Sequence, residues 1–106
     1  MVDEQLIQDE KAQLQLKINQ AQAVKRLFVQ QDFVQVFEMG YFTHEVLRLH
    51  KQMANHLKGS QEYEQIVQAL DTISSVQRYL QTVMNDGAMA QEQLTELTAI
   101  PLSEYE

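Results

Sequence analysis

The sequence contains no cysteine, and its 106 residues include only three glycines and one proline. Without cysteine the protein has no disulfide framework and no thiol chemistry, which fits a reducing compartment. Glycine and proline are the residues that most often break or turn the backbone. Their scarcity predicts a chain made of a few long elements.

Positive charge is also scarce, above all in the second half of the chain. The net charge is −7: residues 1–61 carry seven acidic and seven basic residues, whereas residues 62–106 carry eight acidic residues and Arg78 as their one basic residue. Affinity for nucleic acid comes largely from cationic side chains that displace counterions. The charge balance therefore argues against nucleic-acid binding.

Long hydrophobic runs are missing as well. No apolar stretch approaches the roughly 20 residues that a membrane-spanning helix needs. The first ten residues, MVDEQLIQDE, are acidic and have no continuous apolar core, so no signal peptide is predicted. We expect an intracellular protein that does not associate with membranes.

The sequence has no pattern that is typical of a catalytic or cofactor site. His44, His50 and His56 follow one another at six-residue intervals. On a helix the outer two would lie about 18 Å apart, too far for one metal ion to bind all three. No glycine-rich loop is present to hold a phosphate. We therefore predict no catalytic residue, no cofactor, no metal site and no small-molecule substrate.

What the sequence does contain is apolar periodicity of three to four residues in long runs, which is typical of amphipathic helices. Residues 4–29 form the first predicted helix. Its apolar stripe consists of Leu14, Ile18, Ala21 and Phe28, with Val24 or Lys25 between the last two. The polar residues between these positions suit an exposed face.

Residues 33–57 form the second predicted helix. Asp32 and Gln35 have the spacing of a capping box at its start. Gly40 interrupts the helix, and Thr43 is placed to cap a restart. The helix is therefore predicted to be either bent or broken near Gly40. Phe33, Val36 and Phe37 are expected to face one way, and a second apolar stripe consists of Phe42, Val46, Leu49, Met53 and Leu57.

Residues 61–98 form the third predicted helix. It is preceded by a break at residues 58–60, where Gly59 follows a basic residue and Ser60 can cap the new helix. The helix either ends near Gly87 or continues past it, and continuation is the preferred alternative. Pro101 is expected to end it, which leaves residues 99–106 as a flexible acidic tail.

Together these patterns predict one all-α domain over residues 1–106. Its three long helices are expected to form an antiparallel bundle or a helical hairpin with a third arm. The apolar stripes are long for so short a chain, so part of them is expected to stay uncovered within one molecule. Such a surface is buried by self-association or by a protein partner.

Two segments carry a resemblance to a known group of proteins. Residues 26–49 contain the pattern R-L-x4-D-F-x2-V-x3-G-Y-F-x2-E-x2-R-L, and residues 72–90 read TISSVQRYLQTVMNDGAMA. In both segments the chain resembles small helical proteins encoded by tailed bacteriophages. The positions that match the first pattern are Arg26, Leu27, Asp32, Phe33, Val36, Gly40, Tyr41, Phe42, Glu45, Arg48 and Leu49.

The resemblance implies a phage-encoded accessory protein without enzymatic activity, found in the host cytoplasm or in the virion, which acts in virion assembly or as a minor virion component. Tyr41, Phe42 and Arg48 are the predicted partner contacts, because aromatic and arginine side chains dominate binding hot spots. Glu45 is placed to pair with Arg48 on the same helix. The alternative is a regulator that binds and inhibits a host protein, which the acidic residues 62–106 favour.

Overall fold

A computed structural model describes residues 4–99 of the chain. Within this range every element is helical and no strand is formed. The elements are α1 (Glu4–Val29), α2 (Gln31–Phe33), a π-helix (Val34–His44), α3 (Glu45–Met53) and α4 (Gln61–Ala99). The predicted all-α class is confirmed.

Helix α1 has the predicted bounds, Glu4–Val29. Its stripe is buried as expected, with Val24 rather than Lys25 as the fourth apolar position; the fully buried members are Leu14, Ile18, Ala21 and Val24. Glu4 in the first turn and Arg26 in the last turn carry the charges that stabilise the two ends of the helix dipole. Local sequence alone accounts for this element.

Helix α4 spans Gln61–Ala99 and continues through Gly87, as preferred above. Ser60 caps it: the Ser60 Oγ accepts a hydrogen bond of 3.2 Å from the backbone N–H of Tyr63. This bond satisfies one of the donors that the first helical turn leaves without a partner. Ala99, predicted to begin the tail, is the last described helical residue, and the rest of that tail lies outside the described residues.

The second predicted helix stays helical from residue 31 to residue 53, with no break at Gly40. Its irregularity is the π-helix, which contains Gly40. The capping box of Asp32 and Gln35 is wrong: Gln30 is the N-cap residue, without a side-chain cap, and Asp32 lies inside the first turn. The predicted cap at Thr43 is also wrong, because the helix never restarts.

The same helix ends at Met53, four residues before the predicted end at Leu57. Two tighter hydrogen bonds follow, from the Asn55 N–H to the Gln52 carbonyl (3.0 Å) and from the His56 N–H to the Met53 carbonyl (3.2 Å). Leu57 is exposed. The apolar contact with α4 stops at Met53, so Leu57 has nothing to pack against and its periodicity does not extend the helix.

Gly59 lies in the connection between α3 and α4. Its φ of +89° falls in the left-handed region, which residues other than glycine rarely adopt. The glycine therefore allows the chain to turn back within the few residues that separate the two helices.

The chain divides into two compact units. The terminal unit consists of Met1–Lys25 and Gln81–Glu106, and the central unit of Arg26–Leu80. In the terminal unit α1 and α4 run antiparallel, since Gly87 lies beside Ala21 and later residues of α4 contact earlier residues of α1. Its core consists of Leu14, Ile18 and Ala90, with Leu94 and Leu97 packed against them.

The central unit contains a helical hairpin, in which α3 packs against the first part of α4. Its buried core is formed by Leu49, Ile66 and Ile73. Six partly buried side chains pack on this core: Tyr41, Phe42, Val46, Met53, Ala69 and Leu70. The helical content agrees with either predicted arrangement, a bundle or a hairpin with a third arm, and the assignment of residues 1–106 to a single domain stays a prediction.

Candidate protein-interaction surface

All four phenylalanines of the protein and Tyr41 fall within fifteen residues of the central unit. We call these five side chains the aromatic row: Phe28, Phe33, Phe37, Tyr41 and Phe42. Successive ring centroids along the row are 5.6, 5.1, 6.1 and 5.7 Å apart. These separations lie in the range where ring pairs attract one another. Each ring is therefore held in place by its neighbours.

The π-helix carries the later part of this row. The backbone N–H of Glu45 donates to the carbonyl of Gly40, five residues earlier. The Thr43 hydroxyl donates to the Glu38 carbonyl, also five residues earlier, at 2.7 Å. Extended π-helical geometry is rare and often occurs at functional sites. The wider turn makes this segment differ from the regular helices on either side.

An open groove runs along one face of this segment, and we call it the Gly40 groove. Its lining consists of Val36, Phe37, Gly40, Tyr41 and Glu45. Val36 is 60% exposed, although it is apolar, and nearby Met39 is 51% exposed. Because Gly40 has no side chain, an approaching group can come close to the backbone there. The groove is an apolar surface that one molecule leaves open.

The three predicted contact residues occupy different positions at this surface. Tyr41 lines the groove, and it also packs on the core of the central unit. Phe42 contacts Phe37 and Tyr41 in the aromatic row and is packed on the same core, but it is not part of the groove lining. Arg48 lies on α3 with 53% of its side chain exposed. Tyr41 is thus a lining residue of the groove, whereas Arg48 contacts the lining residue Glu45.

Glu45 and Arg48 form the predicted same-helix ion pair. Arg48 Nε donates to Glu45 Oε2 at 3.0 Å, and Arg48 Nη2 donates to the other carboxylate oxygen. The hydrogen bonds and the positive charge of Arg48 lower the pKa of Glu45 below its ordinary value, and the carboxylate in turn raises the pKa of Arg48. The pair holds the guanidinium at the edge of the groove.

The sequence pattern does not reveal that Val36 and Phe37 are exposed. Together with Phe33 they have the spacing of a helical core stripe, yet both line the open groove and are classed as exposed. Hydrogen bonds to the fifth residue change the rotation per residue, and apolar spacing does not reveal that register. The one sequence feature that could have indicated an exposed surface here is the density of aromatic residues around Gly40.

No three histidine, aspartate or glutamate side chains between residues 4 and 99 lie close enough together to hold a metal ion. His44, His50 and His56 are all exposed. None of the helices in the described range has the length and apolar character needed to cross a membrane.

Comparison of the chain with protein-family models, with curated proteins and with solved structures finds no match. The features that bear on function are therefore those of the molecule itself. They are the aromatic row, the π-helix that carries the Gly40 groove, and the ion pair at the edge of that groove.

Proposed function

We propose that the protein is a non-enzymatic interaction protein of a tailed phage, which acts in virion assembly or is a minor virion component. The observation that carries this proposal is the open apolar groove at Gly40, bordered by the Glu45–Arg48 pair. The resemblance of residues 26–49 and 72–90 to phage-encoded helical proteins supplies the biological setting. The groove supplies the surface through which such a protein would act.

The groove is well suited to binding because its side chains are already ordered. Phe37 is held by ring contacts to Phe33, Tyr41 and Phe42. Arg48 is held by two hydrogen bonds to Glu45. Ordering long or aromatic side chains on binding costs conformational entropy, and contacts that order them beforehand reduce that cost. Both kinds of side chain are common among binding hot spots.

We assign binding rather than catalysis to this surface because of the state of Glu45. It is the one charged side chain in the described lining of the groove, and Arg48 occupies both of its oxygens. A lowered pKa keeps the carboxylate ionised and makes it a weak base. The remaining lining residues offer apolar surface and a tyrosine.

Affinity capture of the tagged protein from infected cells, followed by mass spectrometry, tests the proposal. We expect portal, scaffold or tail proteins to be recovered with the wild-type chain. Arg48→Ala removes a contact at the groove, whereas Arg78→Ala removes an exposed arginine elsewhere in the central unit. Recovery should fall with Arg48→Ala and persist with Arg78→Ala. Equal recovery with both variants would contradict the assignment of the groove.

A second candidate function has its own supporting observation. The exposed acidic residues of α4 outnumber its basic residues by six to one: Glu62, Glu64, Asp71, Asp86, Glu92 and Glu96 against Arg78. A negatively charged helix of this kind can bind the basic, nucleic-acid-facing surface of a host enzyme and inhibit it.

Salt separates the two candidates in the same capture experiment. Charge attraction between exposed groups weakens as ionic strength rises, whereas an apolar contact does not. Capture of one host enzyme that is lost at high salt, and lost also in a Glu92→Gln/Glu96→Gln variant, would favour the regulator. Salt-resistant capture of virion proteins would favour assembly.

A further inference from the structure

We propose that the occupant of the Gly40 groove is a second copy of this chain, so that the protein forms a symmetric dimer through this face. The inference rests on the proposed binding function of the groove and names its partner. Three features of the central unit support it: a small core, a self-complementary pair of charges, and a groove lining without net charge.

The first feature is the small core of the central unit. Only Leu49, Ile66 and Ile73 are fully buried in its described residues, while Val36 and Met39 stay more than half exposed. A single core below about 70–80 residues supplies little stability, and natural proteins of that size often add disulfides, structural metals or oligomerisation. The chain has no cysteine, and residues 4–99 contain no cluster suited to a metal ion. Association through the exposed apolar face would add buried apolar area to this small core.

The second feature is charge complementarity. In a two-fold symmetric contact the same patch of both molecules meets itself, so a patch must be complementary to itself. Glu45 and Arg48 meet this requirement, because two such pairs that meet across the axis can place each carboxylate beside the guanidinium of the other copy as well as its own. Both side chains are accessible to solvent in the single chain, at 34% and 53%.

The third feature is the distribution of charge around the groove. The excess negative charge of the chain lies in residues 62–106, where eight acidic residues accompany one basic residue, and it opposes contact between two copies there. The described lining of the groove carries a single charge, that of Glu45, and Arg48 neutralises it. Gly40 is part of this lining, and the absence of a side chain there allows a second helix to come close to the backbone.

The decisive experiment uses two variants of opposite charge. Glu45→Lys leaves two positive charges at the edge of the groove, and Arg48→Glu leaves two negative charges. In sedimentation equilibrium over a dilution series, we expect wild type to dimerise and each variant to dissociate at least about tenfold more readily. An equimolar mixture of the two should form mixed dimers with the affinity restored. Unchanged helical circular dichroism would show that both variants are folded.

A matched pair of valines tests the apolar part of the contact. Val36 lines the groove, whereas Val29, also in the central unit, is 83% exposed at the end of α1 and is not part of the described lining. Val36→Glu should weaken dimerisation by about tenfold or more, because it places a charge in a buried contact. Val29→Glu should leave the dimer unchanged.

Several outcomes would overturn the inference: a wild-type chain that stays monomeric throughout the dilution series, equal dimerisation of the two valine variants, or a charge-variant mixture that remains monomeric. If the chain is monomeric and Val36→Glu still abolishes capture of a virion protein, the groove binds that protein, so the dimer fails and the proposed function stands. If dimerisation follows the charge variants and no virion protein is captured, the dimer stands and the proposed function fails.

Discussion

The two units of the molecule have aliphatic buried cores, but they differ in the other side chains that pack around those cores. In the terminal unit α1 and α4 meet through small residues: Gly87 lies directly beside Ala21, and Ala90 is fully buried. In the central unit five aromatic rings follow one another along α1, α2 and the π-helix. Small residues bring helix backbones close together, whereas large rings need room.

This difference explains why the open apolar groove, our candidate interaction surface, lies in the central unit. Rings bury large areas only when other elements cover them, and the hairpin of α3 and α4 covers Tyr41 and Phe42 better than it covers Phe37. The side of the π-helix that faces away from the hairpin core is left apolar and open. The two units should accordingly respond differently to the same substitutions, which the following predictions test.

The largest effect is expected in the core of the central unit. Ile73 is 2% exposed, and Ile73→Ala leaves a cavity among side chains that pack on one another. We expect the free energy of unfolding to fall by about 2–5 kcal/mol. Urea unfolding followed by circular dichroism measures it.

Val29→Ala serves as the control for Ile73→Ala, because Val29 is exposed in the same unit. It should change the free energy of unfolding by no more than about 0.5 kcal/mol. Similar losses for the two variants would mean that Ile73 is not at the centre of a packed core.

The next largest effect is expected where the helices of the terminal unit touch. A Cβ at Gly87 would overlap the Cβ of Ala21 and lie 3.1 Å from the Lys17 carbonyl oxygen. Alanine improves helix propensity by about 1 kcal/mol, but overpacking costs about 1–3 kcal/mol, so Gly87→Ala should lower stability. Thermal unfolding measures the change.

Two further variants test the steric explanation of Gly87→Ala. Adding Ala21→Gly removes the overlapping methyl group and should recover part of the lost stability. Gly40→Ala makes the same change in the central unit, where the added Cβ would lie 3.2 Å from the Gln35 carbonyl oxygen and the neighbour need move only slightly. If Gly40→Ala were the more damaging change, the contrast between the units would be wrong.

A smaller effect is expected at the start of α4. Ser60→Ala removes the hydrogen bond between the Ser60 Oγ and the Tyr63 N–H, and should reduce stability by about 1 kcal/mol. Ser75→Ala changes an exposed serine inside the same helix and should cause no loss, because alanine is the better helix former. Chemical unfolding of both variants provides the comparison, and equal behaviour would exclude a capping role.

The smallest effect is expected at the Glu45–Arg48 pair. Arg48→Met should raise the pKa of Glu45 back towards its ordinary value, as followed by NMR titration of the carboxyl group. A lowered pKa in the folded protein stabilises it above the ordinary pKa, and this stabilisation is lost as the pH falls through the lowered value. The contribution should be small and weakened by salt, because the pair is exposed.

Arg78→Met provides the control for the titration. Arg78 is exposed on α4 and forms no ion pair among the described residues, so its removal should leave the pKa of Glu45 unchanged. An identical shift in both variants would indicate a general loss of positive charge rather than the loss of a specific partner.

Prediction from sequence succeeded where local interactions decide the structure. The bounds of α1 were predicted in full, and those of α4 to within one residue of the last described helical position. The cap at Ser60 was also predicted, since a hydroxyl just before a helix can accept a hydrogen bond from one of the unpaired N–H groups of the first turn. It failed at Asp32 and Thr43, whose equally suitable side chains lie inside a continuous helix rather than at a helix start.

The candidate surface was predicted only in part. The spacing of Glu45 and Arg48 predicted their ion pair, because residues three apart on a helix are neighbours. Tyr41, Phe42 and Arg48 stay predicted contacts that the partner experiments will test. The groove itself was not predicted, since Val36 and Phe37 have the spacing of core residues.

The sequence by itself determined that this protein is helical, where its two longest helices begin, and how its charge is distributed. These properties depend on periodicity, capping and composition, which act within a few residues. Only the tertiary structure decided that α3 ends at Met53, that a π-helix contains Gly40, and that Val36 faces outward. Each of these depends on which distant side chains cover a given face, and the order of residues along the chain does not specify that coverage.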